Sequence, residues 1–310
     1  MSKRIVVALG HQALGTDFPQ QKKKIHDSVK VLADLIAEDC QLIITHSNAP
    51  QVGMISTALN EYAKVHETYN APMAICSSMS QGFIGYDIQN MLRTELMSRG
   101  IYRCVSTVVT QVIVDPYDDA FYRPTKVIGR ILTQKEAEAE EDKGNYVTEI
   151  PGEGFRRIVA SPKPLDIVEI DAINALLDAG QIVVAAGGGG IAVLKQGNLL
   201  KSASAIIEKD LTAGKLADLT NADILMILTS EEHVSIGYGT DESTPLSHLT
   251  AADALTYISS NEFGHDGMLP KIEASVNFVS QDKNRSAIIT SIDHAVDAFH
   301  GKAGTLITRE

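Results

Sequence analysis

The sequence predicts a three-layer αβα sandwich, with a mainly parallel central sheet covered by helices on both faces and a small protruding subdomain. Two observations lead there. Strand-like runs recur from end to end, several of them apolar almost throughout rather than alternating, as strands covered on both faces are. Between the runs, apolar residues fall at helical spacing. Strands that alternate with helices assemble as parallel βαβ units.

Taken in order, RIVVALG (4–10) is the first buried strand. Ile25, Val29, Leu32 and Ile36 then line one face of a helix, and QLIITH (41–46) is the second strand. VSTVVTQVIV (105–114) reads as one continuous strand. Ile170, Ile173 and Leu177 mark a helix ahead of the strand QIVVAA (181–186). ADILMILT (222–229), SAIITS (286–291) and TLIT (305–308) complete the strands, with a helix marked by Ile272, Val276 and Val279.

The rhythm stops between residues 115 and 164, where prolines, the charged run EAEAEEDKG and the basic run GFRRIVASPKP appear. A structureless excursion of that length is unusual in a compact domain. Residues of about 116–164 are therefore expected to form an inserted lobe, a hairpin and a helix, with EAEAEEDKG as a solvated helix face. The expected organisation is a single domain over 1–310, with an N-terminal half of about 1–180 and a C-terminal half of about 181–310.

With 310 residues, 44% of them hydrophobic, the chain can bury a large core. Its net charge of −12 argues against a nucleic-acid partner, and 5% aromatics without tryptophan argue against base-stacking platforms. No apolar run approaches a membrane span, and the first residues show no secretory pattern. Cys40, Cys76 and Cys104 are scattered and odd in number, as expected of reduced thiols in a cytoplasmic protein. The histidines show no metal spacing, so no protein-ligated metal is expected.

In open α/β sheets, ligands bind beyond the carboxyl ends of the strands. Those junctions read LGHQALG, THSNAPQVG, AAGGGG and TSEEHVSIGYG. Gly187 to Gly190 stand between apolar flanks, so they are a tight turn after a buried strand rather than a tether. Neither a P-loop nor a dinucleotide fingerprint is present. A four-glycine turn taken alone fits a phosphate cradle and tight packing equally well. Lysines favour the cradle. Lys209, beside Asp210, sits at a turn-to-helix boundary, and Lys271 follows Pro270 where another helix is expected to begin. Lysine is a compact charge suited to phosphoryl oxygens.

Together, RIVVALG, SNAPQVG, SQGFIGYDIQN, TQVIVDPYDDAF, PTKVIG, RRIVASPKP, GGGGI, EKD and MLPKIEA resemble a carbamate kinase. That group is a branch of the amino-acid kinase family, related to acetylglutamate kinase and uridylate kinase. The resemblance is collinear and covers essentially the whole chain. It implies ATP + carbamate ⇌ ADP + carbamoyl phosphate with Mg²⁺ carried by the nucleotide, usually run toward ATP in arginine or related nitrogen catabolism. It also implies a cytoplasmic homodimer that binds neither nucleic acid nor membrane. The N-terminal half would hold the carbamoyl group, and the C-terminal half the nucleotide.

Carried over by residue, Lys209 and Lys271 would neutralise phosphate charge and Asp210 would orient Lys209 or the phosphates. Lys126 would reach from the lobe to the acceptor or its phosphate. Gly187, Gly188, Gly189 and Gly190 would let main chain lie against the transferring group, and Tyr238 would line the adenine pocket. Gly10, His11, Gln12, Ser47, Asn48 and Ala49 would form the acceptor loops.

The departures fall mostly in those loops. Members commonly carry L-G-G-N-A and H-G-N-G-P, where this chain has Leu9, Gly10, His11, Gln12, Ala13 and His46, Ser47, Asn48, Ala49, Pro50. Glu208 also stands where aspartate is usual. Side chains at positions 11, 47 and 49 narrow the space for a ligand. His11 either packs on the sheet or donates to an anionic oxygen. Three readings stay open: a carbamate kinase, a kinase for a different small carboxylate, or a catalytically impaired nucleotide-binding regulatory subunit.

Overall fold

The structure, a computed structural model, describes residues 2–237, 243–263 and 267–310. The chain opens with β1 (Arg4–Leu9), α1 (Phe18–Ala37), β2 (Gln41–His46), α2 (Ala49–His66) and α3 (Met73–Ser98). Asp17 starts α1 by accepting from Gln20 N at 2.9 Å, with Pro19 in the first turn, where its missing N–H is not needed. Two short strands follow, β3 (Val105–Thr107) and β4 (Gln111–Val114).

The middle of the chain holds β5 (Lys126–Leu132), α4 (Gln134–Glu141), β6 (Tyr146–Ile150) and β7 (Gly154–Val159). It continues with β8 (Pro164–Ile167), α5 (Ile170–Asp178) and β9 (Ile182–Val184). Strands β5, β7 and β6 form an antiparallel sheet of their own. The inserted segment thus contains three strands and a helix, one strand more than the hairpin expected from sequence. Helix α4 begins with a capping box between Thr133 and Glu136, and Ala137 is its buried residue.

The remainder comprises β10 (Ile191–Gln196), β11 (Leu199–Ser202), α6 (Lys209–Leu219), β12 (Ile224–Thr229), β13 (Val234–Ile236) and β14 (Thr244–Leu246). Then come β15 (His248–Thr250), α7 (Ala251–Ser259), α8 (Met268–Gln281), β16 (Ser286–Ser291), α9 (Ala295–Phe299) and β17 (Thr305–Thr308).

The main sheet runs β15-β17-β16-β12-β1-β2-β9-β3. Its pairings are parallel except between β16 and β17. Strand alternation sorts the core into two layers. Ile5, Val7 and Leu9 of β1 join Val29 and Leu32 of α1 and Ile84 and Ile88 of α3 on one face. Val6 and Ala8 join Ile173, Leu216, Ile272 and Val279 of α5, α6 and α8 on the other. Both faces of the central strands are therefore covered, which is why several strands read as apolar almost throughout. Each such buried aliphatic side chain contributes about 1.5–3 kcal/mol of transfer free energy.

A second sheet runs β11-β10-β4-β8. The run 105–114 is consequently not one strand, because β3 ends the main sheet while β4 belongs to the second. Gln81 of α3 braces the break. Its Oε1 accepts from Thr110 N at 2.8 Å and its Nε2 donates to Thr110 O at 3.2 Å. The amide gives the Thr110 N–H a partner at the bend, while Thr110 O also accepts from Ile191 N at 2.9 Å.

Candidate phosphate site

The carboxyl ends of β1, β2 and β9 lie side by side, and the loop leaving β2 packs against the glycine turn that leaves β9. Ala186 enters the turn in the left-handed region (φ 54°), followed by Gly188 at φ 65° and Gly189 at φ 87°. Hydroxyl groups fix this backbone. Thr45 Oγ1 donates to Ala186 O at 2.9 Å, Thr110 Oγ1 accepts from Ala186 N at 2.9 Å, and Thr212 Oγ1 donates to Gly189 O at 3.0 Å.

The sequence suggested that these positions lack side chains so that a phosphoryl group can approach. The structure gives another reason. A Cβ on Gly187 would strike the His46 ring, and one on Gly188 the Asn48 amide. On Gly189 it would strike the Ile207 carbonyl, and on Gly190 the Val112 side chain. Protein atoms fill all four directions, so tight packing by itself demands the glycines. The amides of Gly189 and Gly190 are engaged within the turn, by Ala186 O and Gly187 O, each at 3.1 Å. What the turn does is join the loop at 46–48 on one side to the loop ending at Glu208, with the first turn of α6, on the other.

The second loop leads into α6. Lys209 and Asp210 are its first two residues, and Lys271 lies in the first turn of α8. Pro270 is inside that turn rather than ahead of it, where its missing N–H is again harmless. Asp210 Oδ1 accepts from Lys209 Nζ at 2.5 Å and Oδ2 from Lys271 Nζ at 3.1 Å. Lys271 Nζ also donates to Gly267 O at 2.7 Å. The N-termini of two helices thus meet with two ammonium groups and one carboxylate. The sum is local positive charge on a chain of net charge −12, the arrangement that binds anions.

Burial opposes ionisation of the Asp210 carboxyl, but Lys209 and Lys271 outweigh it and hold the group below its ordinary range. Burial likewise pushes the Lys209 ammonium down, against the pull of Asp210. His46, at the end of β2, is fully enclosed. Burial foremost, with Lys209 pushing the same way, lowers its imidazole to about 4. Its Nδ1 lies 2.9 Å from Ser47 O, an acceptor, so Nδ1 carries the proton of the neutral ring.

Lys126, the first residue of β5, reaches Glu208 Oε1 at 2.5 Å. Glu208 immediately precedes Lys209, so the lobe's lysine meets the same short segment. Gly10 follows β1, its amide bonded to Leu228 O at 3.0 Å. His11 and Gln12 begin a short 3-10 turn and are exposed, so His11 does not pack on the sheet. Ser47 is half-buried and donates from its amide to Leu9 O at 3.0 Å. Asn48 is buried, its Nδ2 donating to Ser80 Oγ at 2.8 Å, and Ala49 is exposed at the start of α2. Tyr238 lies outside the described residues.

Sequence reasoning missed Thr45, Thr110, Gln81 and Thr212, which position the turn, and the contact of Glu208 with Lys126. Each acts on a partner far along the chain, and no local spacing announces it. Among the described residues no group of three His, Cys, Asp or Glu side chains is placed to hold a metal ion. No helix among them is long and apolar enough to cross a membrane.

Comparison with known proteins bears on what this arrangement serves. Residues 3–291 match the amino acid kinase family. The chain is 46% identical over 308 residues to the carbamate kinase-like protein YqeA of Escherichia coli, with 99% of each chain covered. It is 42% identical over 309 residues to a carbamate kinase of Staphylococcus epidermidis, again with 99% of each covered. Among solved structures, carbamate kinase from Giardia lamblia bound to AMP-PNP matches with a TM-score of 0.93 at 33% identity, covering 100% of this chain and 99% of that one.

Proposed function

We propose that this chain, which belongs to the amino acid kinase family and matches its carbamate kinases end to end, catalyses ATP + carbamate ⇌ ADP + carbamoyl phosphate. The observation that carries the reading is the Lys209–Asp210–Lys271 cluster at the meeting N-termini of α6 and α8, beside the glycine turn. In the direction of ATP synthesis, a terminal phosphate oxygen of ADP attacks the phosphorus of carbamoyl phosphate. The bond from phosphorus to the carbamoyl oxygen breaks, and carbamate leaves as an anion. No proton moves, so no general base is required. Positioning and charge neutralisation do the chemistry.

Lys209 and Lys271 are assigned to the phosphate oxygens, and Lys126 to the acceptor or its phosphate. Asp210 aims both ammonium groups. Gly187 to Gly190 form the floor of the phosphate path, and Tyr238 is assigned to the adenine. Residues 1–180, including the lobe at 116–164, would serve the acceptor through Gly10, His11, Gln12, Ser47, Asn48 and Ala49. Residues 181–310 would serve the nucleotide.

Mg²⁺ fits this reading as an ion carried by the nucleotide's phosphates. Both oxygens of Asp210 are already engaged by lysines, and such ions are usually held by phosphate oxygens and water. When bound, it supplies further neutralisation of the phosphate charge. Exposed apolar side chains on α2 and α3 (Met54, Tyr62, Ile75, Met79 and Tyr86) support a homodimer. A cytoplasmic role in arginine or related nitrogen catabolism follows from the same reading.

A second reading, a different small carboxylate as acceptor, is favoured by the exposed His11 and Gln12 in the acceptor loop. One assay separates the two. Purified protein with Mg²⁺ is expected to form ATP from ADP and carbamoyl phosphate. No ATP above an enzyme-free blank, together with phosphorylation of another carboxylate in a panel supplied with ATP, would replace the first reading by the second.

A further inference from the structure

We propose that Glu208 is a positioning residue, holding Lys126 over the phosphate site through one of the lysine's donors and leaving the other two for the ligand. This rests on the assignment of Lys126 to the acceptor or its phosphate.

Glu208 occupies the N-cap of α6, where a polar side chain ordinarily turns back to bond the first free amides. It gives α6 no such bond. Its carboxylate instead meets Lys126 Nζ at 2.5 Å, across 82 residues of sequence. The backbone at both ends prepares this contact. Lys126 pairs with Val159 of β7, and the next residue, Ala160, forms a bridge with Ala205. Ile206 N also donates to Ala160 O at 3.0 Å. The base of the lobe is thus bonded to the segment that enters α6, and the two side chains close the gap above it.

Two chemical consequences follow. An unpaired carboxylate at the head of α6 would repel a polyanion arriving there, and the Lys126 ammonium cancels that charge. An ammonium has three donors and no acceptor, so pairing with Glu208 fixes the long, flexible side chain without exhausting it. The pair is 36% and 29% exposed at its side chains. Ion pairs that open to water contribute little to stability, so its value lies in placing Lys126 rather than in holding the fold.

The test compares steady-state ATP formation by the wild type, Lys126→Ala, Glu208→Gln and the double variant. Lys126→Ala is expected to lower kcat by about 30-fold or more. Glu208→Gln should lower kcat about tenfold while KM for ADP moves less than about twofold. The double variant should be no slower than Lys126→Ala, because Glu208 acts only through that lysine. Glu208→Asp, which keeps the charge, should recover to within about threefold of wild type.

Losses that multiply in the double variant would overturn the role of Glu208 and leave that of Lys126 standing. Wild-type kcat in Lys126→Ala would overturn the assignment of Lys126, and this proposal with it. A readout independent of turnover is brief acetylation of ligand-free protein, read at Lys126 by mass spectrometry. Labelling should rise several-fold in Glu208→Gln, since the side chain is no longer held by a charge-assisted bond to the carboxylate; equal labelling of the two proteins would overturn the proposal.

Discussion

Lys271 Nζ and Asp210 Oδ2 lie 3.1 Å apart across 61 residues of sequence, joining the first turn of α8 to that of α6. The same carboxylate accepts from Lys209 at 2.5 Å. Taking three charged groups out of water costs more than a single pair returns, so this cluster is poor as a device for stability alone. Its residual positive charge at two helix N-termini makes sense as a seat for an anion.

Asp210→Asn tests that relation in the fold itself. The side chain of Asp210 is 7% exposed, and removing its charge leaves two buried ammonium groups facing one another. Stability is expected to fall by about 3 kcal/mol. Inorganic phosphate should restore more of it in the variant than it adds to the wild type, by replacing the missing negative charge. Melting curves with and without phosphate measure this. A variant that melts with the wild type, or responds to phosphate no more strongly, would contradict it.

The glycine turn yields a paired prediction. Gly189 has φ 87° and no room for a Cβ beside the Ile207 carbonyl, whereas Gly197 has φ 60° and open space. Gly197→Ala is expected to cost only the backbone penalty, about 1–2 kcal/mol. Gly189→Ala adds a collision with main chain and should cost about 4 kcal/mol or more. Urea titrations of the two variants decide it; equal losses would mean that packing is not what the turn requires.

His46 makes stability depend on pH. Buried, its imidazole takes a proton only near 4, against 6.5 when exposed. Between those values the unfolded chain binds more protons than the folded one, so stability falls as pH drops through that window and is fully present above it. The contribution at stake is up to about 3 kcal/mol. His46→Asn removes it. Urea midpoints of wild type and variant should therefore converge as pH falls from about 7.5 to about 4.5. Curves that stay parallel would contradict the assignment.

Much of this architecture is legible in the sequence because burial on both faces leaves a mark. The interiors of β1, β2, β12 and β16 are mainly apolar and buried, and α1 and α8 carry helical periodicity into the core. The family resemblance likewise named Lys209, Asp210 and Lys271, which the structure brings together. What escaped depends on distant partners. Nothing within VSTVVTQVIV signals a break, since it holds no glycine, proline, asparagine or aspartate. The break is braced by Gln81, reaching across from α3. The four glycines were visible, but the atoms that exclude side chains there belong to residues 46, 48, 112 and 207. The pairing of Lys126 with Glu208 is equally non-local, arising only once the lobe folds back onto the entry to α6.

The most direct measurement is ATP formation from ADP and carbamoyl phosphate with Mg²⁺, run side by side on wild type and Lys271→Ala. Lysines clamped on a phosphoryl group act mainly in the transition state, so the variant should keep its fold yet lose about 100-fold or more in kcat. Robust ATP formation by the wild type with that loss is the expected result. No ATP from the wild type would contradict carbamoyl phosphate as the phosphoryl donor. A Lys271→Ala variant that turns over at the wild-type rate would contradict a phosphoryl-transfer site at the meeting of α6 and α8.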